Sequence, residues 1–315
     1  MSFLVELPQS AYPAHALDGF KATPQFNLVN AQAMMWLSQL AYETAHQSAT
    51  ESKVEDILRS WQLTMHGFKS NDPATGLPPK SACVVVAGGR GATFITFAGS
   101  DPLKFEDWIT NFNAVQSAEG VHTGFQDAIE TVWSTIETAM KKRSASEQAL
   151  FFTGHSLGGA LAIIAAARAA LEFKIQPTVV YTYGSPRTGG TEFFDEYKPL
   201  LGDATFRLIH GNDIVPTVPT VLPGDYRHVG QSIQCPTDGL FDGSQAQTSA
   251  AEANKPDFVD DAIEAGLADL RAFSAFQFIR RIGPRPLDRL AALLPRMVRD
   301  HVPANYFRAL GIPLR

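Results

Sequence analysis

The residues best suited to chemistry are Gly154-His155-Ser156-Leu157-Gly158, which match the pattern G-x-S-x-G. A short apolar run, Ala149–Thr153, precedes them, and an Ala- and Ile-rich stretch to about Phe173 follows. Between a strand and a helix, this pattern lifts the serine out of a sheet at a sharp turn, and small flanking residues let the backbone pass. The N-terminus of the helix favours negative charge at the same point. We therefore predict that Ser156 is a nucleophile; the alternative is an ordinary N-cap serine.

A reactive serine needs a base, and the base needs a carboxylate that orients it. In proteins with this turn the chain order is serine, then Asp or Glu, then His, and the acid follows a later strand. Asp213 fits this place, because it comes soon after the apolar run Phe206–Ile209. Asp195 and Asp203 are alternatives, but they lie in helix-like or loop segments before that run.

Alternating helices and strands must hold these residues in place. Apolar residues at helical spacing predict helices at 30–42 and 122–140, and a further helix follows the serine motif. The β-rich runs 82–87 and 92–97, separated by a glycine-rich tetrapeptide, predict a hairpin, and 179–183 is another short strand. Strands that alternate with helices predict an α/β fold with a parallel or mixed sheet covered on both faces.

The composition allows a large core. Of the 315 residues, 45% are hydrophobic and 18% are charged, which excludes a wholly disordered or collagen-like chain. Two cysteines, Cys83 and Cys235, are too few for a disulfide scaffold or a dense metal cluster. Motifs spread from residue 97 to residue 301 favour a single domain over 1–315 rather than two. The segment 238–256, rich in Gly, Ser, Gln and Ala, is predicted to be a mobile loop.

The formal net charge of −6 is unevenly distributed. Residues 271–315 hold nine arginines against Asp288 and Asp300, a net +7, which leaves −13 for residues 1–270. An acidic body disfavours nucleic acid as a partner. The first twenty residues contain no Lys or Arg and no apolar core, so we predict no secretory signal peptide there. The expectation is a cytoplasmic protein or one exported by a signal-less route.

Seven short segments of the sequence together resemble a known family. In chain order they are Phe97-Ala98-Gly99-Ser100, Val121-His122-Thr123-Gly124-Phe125, Gly154-His155-Ser156-Leu157-Gly158-Gly159, Tyr183-Gly184-Ser185-Pro186-Arg187, Asn212-Asp213-Ile214-Val215-Pro216, Tyr226-Arg227-His228-Val229-Gly230 and Asp300-His301. In this order they resemble the class 3 (fungal-type) lipase family of α/β-hydrolases. The resemblance runs from about residue 30 to residue 307.

The resemblance implies an α/β-hydrolase fold: a mostly parallel central sheet with helices on both faces and a lid segment over the active site. It assigns Asp213 as the acid. Residue types and chain order leave His228 and His301 as candidates for the base. The family's base lies near the C-terminus and is followed by a Tyr/Phe pair, which matches His301 with Tyr306-Phe307. His228 then resembles a conformational element, and it remains the alternative base.

Two donors are expected to hold the oxyanion of the tetrahedral intermediate. One is the backbone N–H of Leu157, the residue after the nucleophile. By resemblance, the other is Ser100, through its N–H and hydroxyl. The chain departs from the family just before Gly99, where Ala98 replaces the usual arginine.

The stretch after Ser100 resembles the family's lid. Its large apolar residues are Leu103, Phe105, Trp108, Ile109 and Phe112. A segment that covers a pocket when closed and meets lipid when open accounts for large apolar residues there. The alternative is an amphipathic helix that is permanently packed on the core.

The arginine-rich C-terminal segment is a second candidate for lipid contact. Its apolar residues recur at helical spacing and are flanked by arginines: Leu287, Leu290, Leu294 and Met297, with Arg285, Arg289, Arg296 and Arg299. A basic amphipathic helix can lie on anionic lipid. The alternative, which we favour, is a solvated arginine face above a core helix that leads to His301.

Together these features predict a serine ester hydrolase, a triacylglycerol lipase or carboxylesterase, that cleaves lipid esters through an acyl-enzyme. The expected partner is a lipid ester at an oil–water or membrane interface, and the chemistry requires no metal or organic cofactor. The alternatives are a phospholipase A1 or a feruloyl-type esterase. A catalytically silent lipid-binding module is a more distant one.

Overall fold

The computed structural model describes residues 7–45, 51–70, 82–99, 116–118, 120–219, 225–242, 246–248 and 296–313. Ser100, the predicted lid residues 103–112, residues 285–295 of the basic segment and most of segment 238–256 lie outside these ranges. Among the described residues, no helix is both long and apolar enough to cross a membrane.

The described strands form one eight-stranded sheet in which neighbours in space are also neighbours in sequence. Strands β3 to β7 are parallel, whereas β1, β2 and β8 pair antiparallel. The prediction of a mostly parallel sheet is therefore confirmed. The strands are β1 Thr64–Lys69, β2 Val84–Gly89, β3 Ala92–Phe97, β4 Ala149–His155, β5 Thr178–Tyr183, β6 Thr205–His210, β7 Gln231–Cys235 and β8 Ala246–Thr248.

Helices cover both faces of the sheet, and α-helices connect β3 to β4, β4 to β5 and β5 to β6. The α-helices are α1 Leu28–Tyr42, α2 Glu51–Ser60, α3 Thr123–Met140, α4 Leu157–Glu172, α5 Thr191–Leu201, α6 Arg296–His301 and α7 Pro303–Ala309. One apolar core joins α1, α2 and α7 to the sheet, and a second joins α3, α4 and α5 to it. Along β4, Phe151 belongs to the first core while Leu150 and Phe152 belong to the second, as the alternation of side chains along a strand requires.

The predicted hairpin is confirmed as β2 and β3, which pair antiparallel. Its turn contains Arg90 at φ 52° and Gly91 at φ 82°. Two consecutive positive φ values are typical of the tight turns whose twist matches that of the flanking strands. The hairpin places β3 beside β4, so that the segment after Phe97 lies next to the segment after β4.

Part of the predicted mobile loop is ordered. Strand β8 lies within segment 238–256 and pairs with β7 from Ile233 to Gln231. The sequence Ala246-Gln-Thr248 has no apolar run, so this strand could not be recognised from the sequence. Cys83 and Cys235 are both buried and form no disulfide.

The carboxyl ends of parallel strands meet at one edge of a sheet. Ser156 follows β4, Gly184 follows β5 and Asp213 lies three residues after β6, so the topology gathers three of the sequence motifs at this edge. Helices α6 and α7 follow more than 80 residues later and bring His301 to the same edge, where it contacts Asp213.

Candidate active site

Ser156 occupies a sharp turn between β4 and α4. Its φ of 58° and ψ of −130° lie in a region that non-glycine residues rarely adopt. A Cβ at Gly154 would overlap the backbone of Gly158, and a Cβ at Gly158 would lie 2.9 Å from the carbonyl carbon of Ala98. The glycines of the motif are therefore required by close backbone approach, and the strained turn holds Ser156 at the end of the strand.

Neighbouring elements fix the backbone of the turn. The Ser156 N–H donates to the carbonyl oxygen of Tyr183 at 2.9 Å, and the Gly159 N–H donates to the carbonyl oxygen of Ser156, also at 2.9 Å. The first of these bonds ties the serine to the end of β5. Ser156 is thereby placed directly beside Gly184, the residue after Tyr183.

The carboxylate of Asp213 is fully buried and accepts three hydrogen bonds. Oδ1 accepts from the N–H of Val215 at 2.9 Å. Oδ2 accepts from Nδ1 of His301 at 2.9 Å and from the hydroxyl of Tyr306 at 2.6 Å. A carboxylate with this many donors is fixed in orientation. Asp195 and Asp203, the alternatives from the sequence, are both exposed on the surface before β6.

His301 ends α6 and is almost entirely buried. Because a carboxylate can only accept, Nδ1 of His301 carries the proton in its bond to Asp213. In the neutral ring, Nε2 is then the nitrogen that can take a proton. The ring lies against that of His155, the residue before the nucleophile, with 4.5 Å between the ring centroids. His301 therefore contacts Asp213 directly, and its ring lies beside the turn that contains Ser156.

His228, the alternative base, lies in a different arrangement. Its Nε2 donates to the carbonyl oxygen of Pro216 at 2.6 Å. Desolvation, together with the nearby guanidinium groups of Arg207 and Arg187, holds the pKa of His228 well below its usual value. The bond connects the Tyr-x-His segment to the loop that follows Asp213, which is a structural role.

His155, the residue before Ser156, forms hydrogen bonds through both of its ring nitrogens. Its Nε2 lies 2.8 Å from the carbonyl oxygen of His301, and its Nδ1 lies 2.7 Å from the hydroxyl of Tyr42. A carbonyl only accepts, so Nε2 donates and, in the neutral ring, Nδ1 accepts from Tyr42. Burial, and then the neighbouring His301, lower the pKa of His155 well below its usual value. His155 is therefore a neutral link between α1 and the backbone of His301.

Gly184 makes room for the pair of Asp213 and His301. Its φ is 55°, and a Cβ on this residue would overlap Oδ2 of Asp213 and lie 2.8 Å from Nδ1 of His301. The sequence motif contains this glycine, but only the structure shows which atoms need the space.

Replacing Gly184 with alanine should lower kcat for ester hydrolysis by about 10²-fold, because displacement of a catalytic group by about 1 Å costs that much. Gly202→Ala is the matched control, since Gly202 has a helical φ of −54° and its Cβ would make only ordinary contacts. Steady-state kinetics on a soluble ester, with thermal unfolding of both variants, makes the comparison. Equal kcat values in the two variants would contradict the assigned role of Gly184.

The hydroxyl of Tyr306 has a role that the sequence does not predict. In the sequence, Tyr306 is only part of the Tyr/Phe pair that follows His301. Burial, and then the adjacent carboxylate of Asp213, raise the pKa of Tyr306 well above its usual value. The phenol therefore stays protonated and donates to Asp213. Its partner lies 93 residues away in the chain, so no local pattern could reveal the bond.

Replacing Tyr306 with phenylalanine should lower kcat about tenfold and leave KM unchanged, because one hydrogen bond to the buried carboxylate is lost. Tyr197→Phe is the control: Tyr197 is equally buried, and its hydroxyl contacts Oγ1 of Thr205 at 2.7 Å, at the opposite edge of the sheet. Urea denaturation should show a stability loss in both variants. A kcat loss that is the same in both would mean that the Tyr306 hydroxyl acts on stability alone.

Of the two oxyanion donors predicted from the sequence, the structure describes Leu157. Leu157 is the first residue of α4, so its N–H is among the first four that have no acceptor within the helix. Ser100 lies outside the described residues, but the chain leading to it passes close to the turn. A Cβ at Gly99 would lie 2.6 Å from the carbonyl oxygen of His155. Ala98 is buried in a small apolar cluster with Ala41 and Cys83, where an arginine would not fit without rearrangement.

Lid residues Leu103, Phe105, Trp108, Ile109 and Phe112 lie outside the described residues, so their role stays a prediction. Among the residues that the structure does describe, no group of three or more His, Cys, Asp and Glu side chains is arranged to hold a metal ion.

Part of this chain is similar to known proteins. The model of the family "Lipase (class 3)" matches residues 94–222. A secreted mono- and diacylglycerol lipase of Fusarium solani is 39% identical over 155 residues, which are 47% of this chain and 45% of that protein. A lipase of Caenorhabditis elegans is 30% identical over 206 residues, 62% of this chain and 56% of that one. The chain thus spans about half the length of these relatives.

A solved structure supports the fold. The mono- and diacylglycerol lipase of Aspergillus oryzae superimposes with a TM-score of 0.54 at 21% identity, over 75% of this chain and 94% of that one. At this identity the likeness shows the fold alone, an α/β-hydrolase fold, as predicted. The segment that matches the family model, residues 94–222, includes the strained serine turn and the buried aspartate, and this segment is similar to class 3 lipases.

Proposed function

We propose that the protein is a serine hydrolase of carboxylic esters, a lipase that cleaves acylglycerols or similar lipid esters through an acyl-enzyme. The observation that carries this proposal is the buried hydrogen bond of 2.9 Å between Asp213 and His301, placed beside the strained turn of Ser156. A serine nucleophile, a histidine base and an orienting carboxylate, in this chain order, are the parts that acyl transfer needs.

In the proposed reaction, Nε2 of His301 takes the proton of Ser156 while Oγ attacks the ester carbonyl. Asp213 holds the ring in the required tautomer and stabilises its charged form. The N–H of Leu157, together with Ser100, receives the developing oxyanion. His301 then protonates the leaving alcohol and activates a water molecule, which releases the fatty acid from Ser156.

The names of the relatives support acylglycerols as substrates, since the similar proteins of Fusarium solani and Aspergillus oryzae are both called mono- and diacylglycerol lipases. The large apolar residues of segment 103–112 are suited to contact with acyl chains or a lipid surface. Contact with an interface through this segment, or through the basic C-terminal segment, is part of the proposal.

A substrate series tests the proposal. p-Nitrophenyl esters of increasing acyl length should be compared with emulsified mono-, di- and triacylglycerol, with Ser156→Ala as the control. We expect hydrolysis of long-chain esters and acylglycerols that disappears in the variant. Activity on aromatic acid esters alone would favour a feruloyl-type esterase, and preference for phosphatidylcholine would favour a phospholipase A1. Complete inactivity of the folded protein would leave only the lipid-binding module.

A further inference from the structure

A second buried carboxylate lies directly behind the candidate active site. Asp300 precedes His301 and is almost completely buried. Its Oδ2 accepts the N–H of Asn212 at 2.8 Å and the hydroxyl of Thr237 at 3.1 Å. Asn212 in turn precedes Asp213. A single carboxylate therefore joins the residue before the candidate base to the residue before the candidate acid.

His210, at the end of β6, binds the main chain of the same segment. Its ring is fully buried, with Nδ1 at 3.1 Å from the carbonyl oxygen of Asp300 and Nε2 at 3.1 Å from that of Thr237. Its backbone N–H donates to the hydroxyl of Tyr306 at 3.3 Å. The side chain of Asp300 thus bonds Asn212, two residues after β6, and its carbonyl oxygen contacts the ring of His210, the last residue of that strand.

The carboxylate of Asp300 lies in space that is available only because residue 211 is a glycine. Gly211 has a φ of 56°, and a Cβ there would overlap Oδ2 of Asp300 and lie 2.6 Å from Oγ1 of Thr237. Burying a carboxylate costs free energy unless donors compensate it, so a charged group in this position needs the bonds that it makes.

We propose that Asp300 is a positioning residue for the reaction, which rests on the proposed function. Through the N–H of Asn212 and the hydroxyl of Thr237, it fixes residues 211–213 relative to α6. It thereby sets the contact between Nδ1 of His301 and Oδ2 of Asp213.

The helices concerned cannot supply this precision themselves. α6 has six residues and α7 has seven, lengths at which an isolated helix is not stable in water, so tertiary contacts determine where they lie. Asp213 and His301 are separated by 88 residues in the chain. The bond from Asn212 to Asp300 spans the same separation one residue away, and it holds the segment of Asp213 in register with α6.

The matched control is a buried carboxylate at the opposite edge of the sheet. Glu147 is almost fully buried and accepts from Nε2 of His66, the hydroxyl of Thr93 and the N–H of Ser144. It precedes β4, whereas Ser156 follows that strand. Glu147→Ala should therefore cost stability, like Asp300→Ala, without affecting the reacting groups.

Two measurements on the full chain test the proposal. The first is kcat and KM on a soluble p-nitrophenyl ester, normalised to folded protein. We expect Asp300→Ala to lower kcat about 10²-fold with KM nearly unchanged. Asp300→Asn should recover most of the loss, because its amide oxygen can accept both bonds. Glu147→Ala should keep the kcat of the parent chain.

The second measurement requires no activity and keeps the inference separate from the proposed function. Proton NMR should show a strongly deshielded signal from the proton between His301 and Asp213, absent in His301→Gln. We expect Asp300→Ala to lose or broaden it, while Asp300→Asn and Glu147→Ala retain it. If Asp300→Ala does not fold, Thr237→Val, which removes one of the two bonds, should shift it.

An unchanged signal and kcat in Asp300→Ala would overturn the positioning role. So would equal losses in Asp300→Ala and Glu147→Ala, or failure of Asp300→Asn to recover either readout. If the parent chain hydrolyses no ester, the proposed function fails on the first measurement, while the NMR signal still decides whether Asp300 positions His301.

Discussion

Replacing Ser156 with alanine should lower kcat for ester hydrolysis by about 10⁶-fold, the size of effect known when a serine nucleophile is removed from a working triad. The expectation follows from the geometry of the turn, which places the backbone of Ser156 beside the end of β5, at the edge where Asp213 and His301 meet. Only the residual effect of substrate binding and oxyanion donors should remain. Kinetics on a long-chain p-nitrophenyl ester provide the measurement.

The control for this variant is Ser146→Ala, which removes an exposed serine hydroxyl before β4. Both variants should unfold at temperatures close to that of the parent chain, since alanine can occupy the Ser156 turn without new overlaps. Hydrolysis that persists in folded Ser156→Ala at more than a small fraction of the parent rate would show that another group is the nucleophile.

The second large effect separates the two candidate bases. His301→Gln should lower kcat by about 10⁶-fold, because histidine and serine act as a unit and the loss of either removes nearly the whole effect. His228→Gln should lower it by no more than about tenfold, since only a hydrogen bond to the carbonyl oxygen of Pro216 is disturbed. The same ester and the same folded-protein normalisation serve both variants.

The ratio between the two variants is the informative quantity. Glutamine preserves hydrogen-bonding capacity at both sites but cannot act as a base near neutral pH. The reverse ranking, with His228→Gln the more damaging change, would assign the base to His228 and would require the pair of Asp213 and His301 to be structural.

The local parts of the site were accessible from the sequence. Ser156 stands in a motif whose glycines, strand and helix are all adjacent in the chain, so a window of some twenty residues contains the whole signal. Asp213 was found by its place after an apolar run. Each of these two residues closely follows one strand, so recognising that strand in the sequence is enough to predict where the residue lies in the fold.

The remaining parts depend on contacts between distant residues. Residue types could not choose between His228 and His301, and the choice needed the family resemblance. Tyr42, His155, Asp300 and Tyr306 take their roles from partners that adjacent sequence does not contain. A buried tyrosine or aspartate is identified as functional only when its partner is known.

The strands that the sequence did not predict lie toward the edges of the sheet. β1 buries only His66 along its length, and β7 has just two apolar residues, Ile233 and Cys235, among its five. Pairing with neighbouring strands stabilises β1 and β7. Because they lack the continuous apolar run that is typical of a central strand, they are not recognised from the sequence. The fold class was nevertheless predictable, because β3 to β6 and the helices between them have strong patterns.

The most direct test of the account is the reaction of the resting protein with an organophosphonate ester, followed by mass spectrometry of the peptides. This reagent reports an activated serine without requiring knowledge of the natural substrate. We predict a single adduct on Ser156, formed rapidly in the parent chain, strongly slowed in His301→Gln and absent in Ser156→Ala. An unlabelled Ser156, or labelling at the same rate when His301 is replaced, would contradict the activation of this serine by His301.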